Sequence, residues 1–288
     1  MILKKRIAGH VAALGLTATV AASGVSARAT DPPADIKATL RAHGAQSMTV
    51  AGLDEAPDLY AFIDVMKARL KALFPTLSPL PAVDLIRIDR LNDISTFAGA
   101  CDQEGNTCAL VMTEATSRLP PEKQRAGLAH EISHIIIERE GVEKLLSTLP
   151  PQVVAALVND LSNHIHAIRD YINQQTPFPD ERKEMYNYIA GAQTEEILSD
   201  AIGKLILCDG EVFKTMIDSP VDLQRQIADA TQRYMEEKNL PDSGKERFKR
   251  RFDILNLVMH HPGGKDRKRF IDLVDLQSAP GCDASPSR

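Results

Sequence analysis

At 288 residues, 43% of them hydrophobic and 25% charged, the chain has enough apolar material for a full-sized core, which excludes an intrinsically disordered protein. Its formal net charge of −5 lacks the basic footprint of a nucleic-acid binder, so no nucleic-acid partner is expected. The length fits one or two domains, and the chain shows no internal repeat and no low-complexity run.

The first predicted element is a leader. Lys4, Lys5 and Arg6 precede an uncharged, largely apolar stretch over 7–27, which ends in Ala27-Arg28-Ala29. That order describes a signal peptide over 1–29, cleaved after Ala29, and a periplasmic or secreted destination. The alternative is an uncleaved membrane anchor, for which the stretch is just long enough. Loss of 1–29 removes four cationic residues and no acid, taking the net charge from −5 to −9. No later stretch approaches the length of a bilayer span, so no stable transmembrane segment is expected in the mature chain.

Next, Leu59, Phe62, Ile63, Met66, Leu70 and Leu73 recur at helical spacing and predict a core helix over 57–74. The proline-rich stretch 75–81 ends it, and 83–88 reads as a strand. A second strand is expected over 107–113, after the Gly105-Asn106 turn, forming a small hairpin with residues around Phe97. The edge of the 107–113 strand is expected to accept an extended peptide by backbone pairing. From Pro121 onward the chain reads as helix, over 122–138, 143–146, 153–174, 182–207, 223–238, 246–259 and 265–276, with prolines between segments. Residues 278–288 form a small, polar tail, expected to be mobile apart from any tether at Cys282. The predicted fold class is α+β, mostly α-helical, with one domain over 30–277.

The four cysteines form an even set that suits an oxidising compartment. Cys101 and Cys108 flank a turn-like segment, so a local bridge fits there and leaves Cys208 to pair with Cys282. Buried free thiols are the alternative.

Chemistry concentrates in His130-Glu131-Ile132-Ser133-His134. On a helix the two histidines lie one turn apart on one face and can present two imidazole nitrogens to one tetrahedral ion. Leu128, Ile132, Ile135 and Ile136 leave an apolar face for packing. The third ligand a catalytic zinc requires is expected from Glu196, with Asp200 one turn on to accept the outer N–H of a ligating histidine. Glu195 competes with Glu196 as the ligand, but only Glu196 has an acid four residues later. His164 and His166, two residues apart, face away from each other and read as surface residues.

His130-Glu131-x-x-His134 followed by Glu196-x-x-x-Asp200 resembles the gluzincin peptidases, and the stretch from Glu196 to Gly203 is similar to the third-ligand helix of thermolysin. The segment from Leu128 to Ile135 resembles the zinc helix of the HtpX and CAAX prenyl protease family, as does His261-Pro262 with Arg267 five residues after the proline. The resemblance spans roughly residues 85–270. It implies a zincin-type fold with a small antiparallel sheet or hairpin beside the zinc helix, one Zn²⁺ per chain on His130, His134 and Glu196, and an unfolded or extended polypeptide as substrate. In such a site Glu131 is the general base, His261 a candidate donor to the oxyanion and Arg267 a possible substrate contact. Where that family commonly places an asparagine before the hairpin's aromatic residue, this chain reads Ile94-Ser95-Thr96-Phe97.

The expected function is therefore an exported zinc endopeptidase, with envelope protein quality control as one setting. Two alternatives stand beside it: a chaperone-like or partner-binding protein whose zinc site is latent or inactive, and a helical protein with no metal.

Overall fold

The computed structural model describes residues 32–42, 44–89, 97–102, 105–149, 151–175, 179–217, 264–277, 279, 280 and 282. The leader, Ser95, His261 and the helices expected over 223–238 and 246–259 lie outside the described residues. What is described is mostly helical with a small four-stranded sheet. The described residues fall into two compact units, one drawn from those up to 64 together with 79–119, the other from 65–78 together with those from 120 onward.

The first unit holds helix α1 (Ala34–Ala42), strand β1 (Met48–Val50), the first half of helix α2 (Pro57–Leu73), and strands β2 (Ala82–Ile88), β3 (Phe97–Cys101) and β4 (Thr107–Thr113). The strand order is β1-β2-β4-β3. β3 and β4 form the expected antiparallel hairpin, but β2 runs parallel to β4, with Leu85 opposite Leu110. The sheet is therefore mixed, where an antiparallel one was expected. β4 is also not an edge: β2 and β3 occupy both of its sides, which corrects the expectation that a peptide pairs there. The physical reason is visible in its composition, since an unbroken apolar run buried on both faces belongs in the centre of a sheet. The edges are β1 and β3.

One face of this sheet carries Ile86, Ile88, Ala100, Ala109 and Val111, and Ile36 and Leu40 of α1 close over it. Helix α1 was not predicted from the sequence. Tyr60, buried on α2, donates its hydroxyl to the Ala51 carbonyl at 2.7 Å and accepts the Leu85 N–H at 3.3 Å. Cys101 and Cys108 are directly opposed in the hairpin and joined by a disulfide.

The second unit holds the rest of α2 with α3 (Pro121–Glu140), α4 (Val142–Thr148), α5 (Pro151–Gln175), α6 (Pro179–Leu207), α7 (Gly210–Ile217) and α8 (Gly264–Asp272). α3 begins at Pro121, where the missing N–H has no helical partner to lose. It ends at Gly141, whose φ of 83° suits a residue without a side chain. α3 packs chiefly along α6, which also touches α5, α7 and α8. At the crossing, a Cβ on Gly203 would stand 2.6 Å from the Phe213 ring and 3.4 Å from the backbone nitrogen of His130. The glycine lets the two helices approach that closely.

α6 stops at Cys208, which takes a left-handed φ of 53° and donates its N–H to the Lys204 carbonyl at 2.9 Å. Cys208 is bonded to Cys282, so the second disulfide holds the segment after α8 against the end of α6. Lys204 supports the same junction, donating to the carbonyls of Ile271 at 2.8 Å and Val274 at 2.7 Å. Its burial lowers the ammonium pKa below the ordinary lysine value. No helix among the described residues is long and apolar enough to cross a membrane.

Candidate metal centre

α3 and α6 bring three potential ligand atoms together. Nε2 of His130 and Nε2 of His134 lie 3.0 Å apart, and the two oxygens of Glu196 stand 3.2 Å and 3.3 Å from them. All three residues are buried, at 7%, 5% and 2% exposure. A tetrahedral ion with bonds of about 2.0–2.1 Å spaces its ligands about 3.3 Å apart, close to this triangle. The group can hold a metal ion.

The outer ring nitrogens fix the inner ones. Nδ1 of His130 lies 2.9 Å from Asp200 Oδ1, and Nδ1 of His134 lies 3.0 Å from Glu195 Oε1. A carboxylate only accepts, so both Nδ1 atoms carry the proton and donate it. In each neutral ring the lone pair is then on Nε2, and the two lone pairs point into the same small space. Two such nitrogens at 3.0 Å repel unless a cation or a proton lies between them. In the absence of an ion, burial pulls the His130 pKa down, but hydrogen bonds and charge from Asp200 and Glu196 outweigh it and raise it to about 9.

Asp200 is fully buried and is gripped on its other side by Arg267 of α8, with Nε 2.7 Å from Oδ2 and Nη2 2.6 Å from Oδ1. This bidentate pair holds the Asp200 carboxyl below its ordinary pKa against the opposing effect of burial. Burial would lower the Arg267 pKa, but the Asp200 charge and hydrogen bonds raise it above the ordinary arginine value. Arg267, considered above as a substrate contact, thus has its Nε–Nη2 edge committed to Asp200.

Among the described residues, Glu195, Glu196 and Asp200 set three carboxylates around the two histidines, a grouping of acids that favours a cation.

No family model, curated protein or solved structure matches the chain.

The site therefore stands on its geometry. Glu131 follows His130 on α3 and is half-buried, with its charge acting on Arg267. His261 lies outside the described residues. Away from the site, His166 is exposed and donates to the Ser162 carbonyl, while His164 sits against Gln193 at 2.7 Å and edge-on to Phe270. The residue that sequence reasoning misjudged is Glu195, weighed only as a rival ligand. The signal that finds it is helix direction: α3 and α6 run antiparallel here, so the later histidine meets the earlier acid and the earlier histidine the later one.

Proposed function

We propose that the chain is a zinc-dependent peptidase of the gluzincin type, with His130, His134 and Glu196 holding the ion and Glu131 acting as general base. The observation that carries the reading is the buried triangle of two Nε2 atoms and a carboxylate, with a second carboxylate on the residue after the first histidine. Two imidazoles and one carboxylate make the mixed nitrogen and oxygen set that suits zinc, while calcium and magnesium favour all-oxygen shells. Three protein ligands are the number at which a tetrahedral ion retains one open position.

Zinc bound there supplies Lewis acidity toward a water molecule and a substrate carbonyl. Glu131 accepts a proton from the attacking water and delivers it to the departing amine nitrogen, which balances the hydrolysis of a peptide bond. Asp200 and Arg267 keep the His130 ring in one orientation during these steps. The two disulfides accord with an exported protein, as the Lys-rich start and the Ala-x-Ala site suggest.

The test is zinc content together with cleavage of an unfolded protein such as casein, for wild type and Glu131→Gln. Zinc near one per chain in both proteins, with cleavage lost only in the variant, supports the peptidase. Zinc in both with cleavage by neither favours a binding protein with an inactive site. Absence of zinc from wild type after exposure to the ion overturns the reading.

A further inference from the structure

We propose that Glu195 is a positioning residue for the metal, holding His134 as Asp200 holds His130, so that each ligating histidine has a carboxylate of its own. The inference rests on the metalloenzyme reading above and adds to it a residue that the ligand pattern does not require.

Glu195 and Glu196 are consecutive, so their side chains leave α6 about 100° apart and cannot serve one ligand position. Glu196 reaches both inner Nε2 atoms, at 3.2 Å and 3.3 Å. Glu195 passes beside the triangle and reaches the outer nitrogen of His134 at 3.0 Å. Its side chain remains 27% exposed, whereas that of Asp200 is fully buried.

The consequence is directional. A histidine with nothing on Nδ1 can turn over or carry its proton on Nε2, and in either case the lone pair is lost to the metal. The Glu195 contact removes both possibilities for His134. An alanine at 195 would free the ring.

The experiment measures zinc affinity by competition with a chromophoric chelator for wild type, Glu195→Ala, Glu195→Gln and His134→Ala, with thermal melts of the chelator-treated proteins. Loss of an acid that orients a metal-bound histidine weakens binding by about 10–100-fold. Glu195→Ala is expected to weaken zinc binding by about that factor. Glu195→Gln, which still accepts the Nδ1 proton through its amide oxygen, should recover most of it, with both melting temperatures near wild type. If Glu195→Ala binds zinc as tightly as wild type while His134→Ala does not bind it, the positioning role is wrong and the metal site stands. If wild type itself does not bind zinc, both readings fall.

Should Glu195→Ala fail to fold, Glu195→Gln decides through the His134 ring proton in nitrogen-15-labelled histidine spectra. That resonance is expected downfield in wild type and shifted upfield in Glu195→Gln. An unshifted resonance overturns the proposal.

Discussion

Arg267 donates through Nε and Nη2 to both oxygens of Asp200, and Asp200 in turn accepts the Nδ1 proton of His130. A residue on α8 thus sets the orientation of a candidate ligand ring on α3 through one buried carboxylate on α6. Each of the three is at most 8% exposed.

Replacing Arg267 with methionine should therefore destabilise the protein by about 3–5 kcal/mol, because a buried carboxylate loses its counterion. Urea denaturation of the chelator-treated protein measures this. The Asp200 carboxyl is held below its ordinary value of 3.8, so it contributes stability above that pH and loses it as pH falls through the lower folded-state value. Arg267→Met should move the acid unfolding midpoint to higher pH; an unchanged midpoint would show that the pair contributes nothing to acid resistance.

His130 makes the opposite prediction at alkaline pH. Its metal-free pKa of about 9 exceeds the ordinary 6.5, so the protonated ring contributes stability fully below pH 6.5 and loses that contribution as pH rises to 9. An incoming zinc ion must displace that proton. Calorimetric titration at pH 7 in buffers of differing ionisation enthalpy should show roughly one proton released per ion, with apparent affinity rising toward pH 9. Proton release near zero would place a neutral His130 in the metal-free protein.

Gly203→Ala tests the helix crossing. In an exposed helix this change is favourable by up to about 1 kcal/mol. Here the new methyl would meet the fully buried Phe213 ring at 2.6 Å, and overpacking of this kind costs about 1–3 kcal/mol. Net destabilisation is expected, with partial recovery in the Gly203→Ala, Phe213→Leu double variant. A more stable single variant would mean that the ring moves aside freely.

The Cys208–Cys282 disulfide closes 74 residues, for which chain entropy gives a stabilisation of about 4 kcal/mol, against about 2 kcal/mol for the seven-residue Cys101–Cys108 loop. Cys208→Ser with Cys282→Ser should lower the melting temperature more than Cys101→Ser with Cys108→Ser. It should also weaken zinc binding, because α8 carries Arg267. Equal zinc affinity in both double variants would show that Arg267 keeps its place without the covalent tether.

The helices around the site were legible from their length and their proline boundaries, with Pro121 opening one and Pro179 the other, and the i, i+4 spacing of His130 with His134 and of Glu196 with Asp200 placed each pair on one face. Boundaries shifted by a few residues; α6 begins at Pro179 instead of 182 because proline is well suited to a first helical turn. The parallel pairing of β2 with β4 was not legible, because alternation and apolar content specify a strand and leave its neighbour open. Glu195 was hidden for a related reason. Spacing along one helix says which side chains share a face, and the partner each meets depends on the direction of the helix opposite.

Each disulfide begins and ends within one compact unit, so neither is a covalent strap from one unit to the other. Oxidation of the chain is thereby divided into two local events with separate outcomes, one closing a hairpin and one anchoring the residues that steady the His130 ring. A molecule folded with only the first bond would carry a finished sheet and an unfastened candidate site, and would be recognised by its unequal losses: ordinary resistance to proteolysis in the strands, and early release of any ion held by His130, His134 and Glu196.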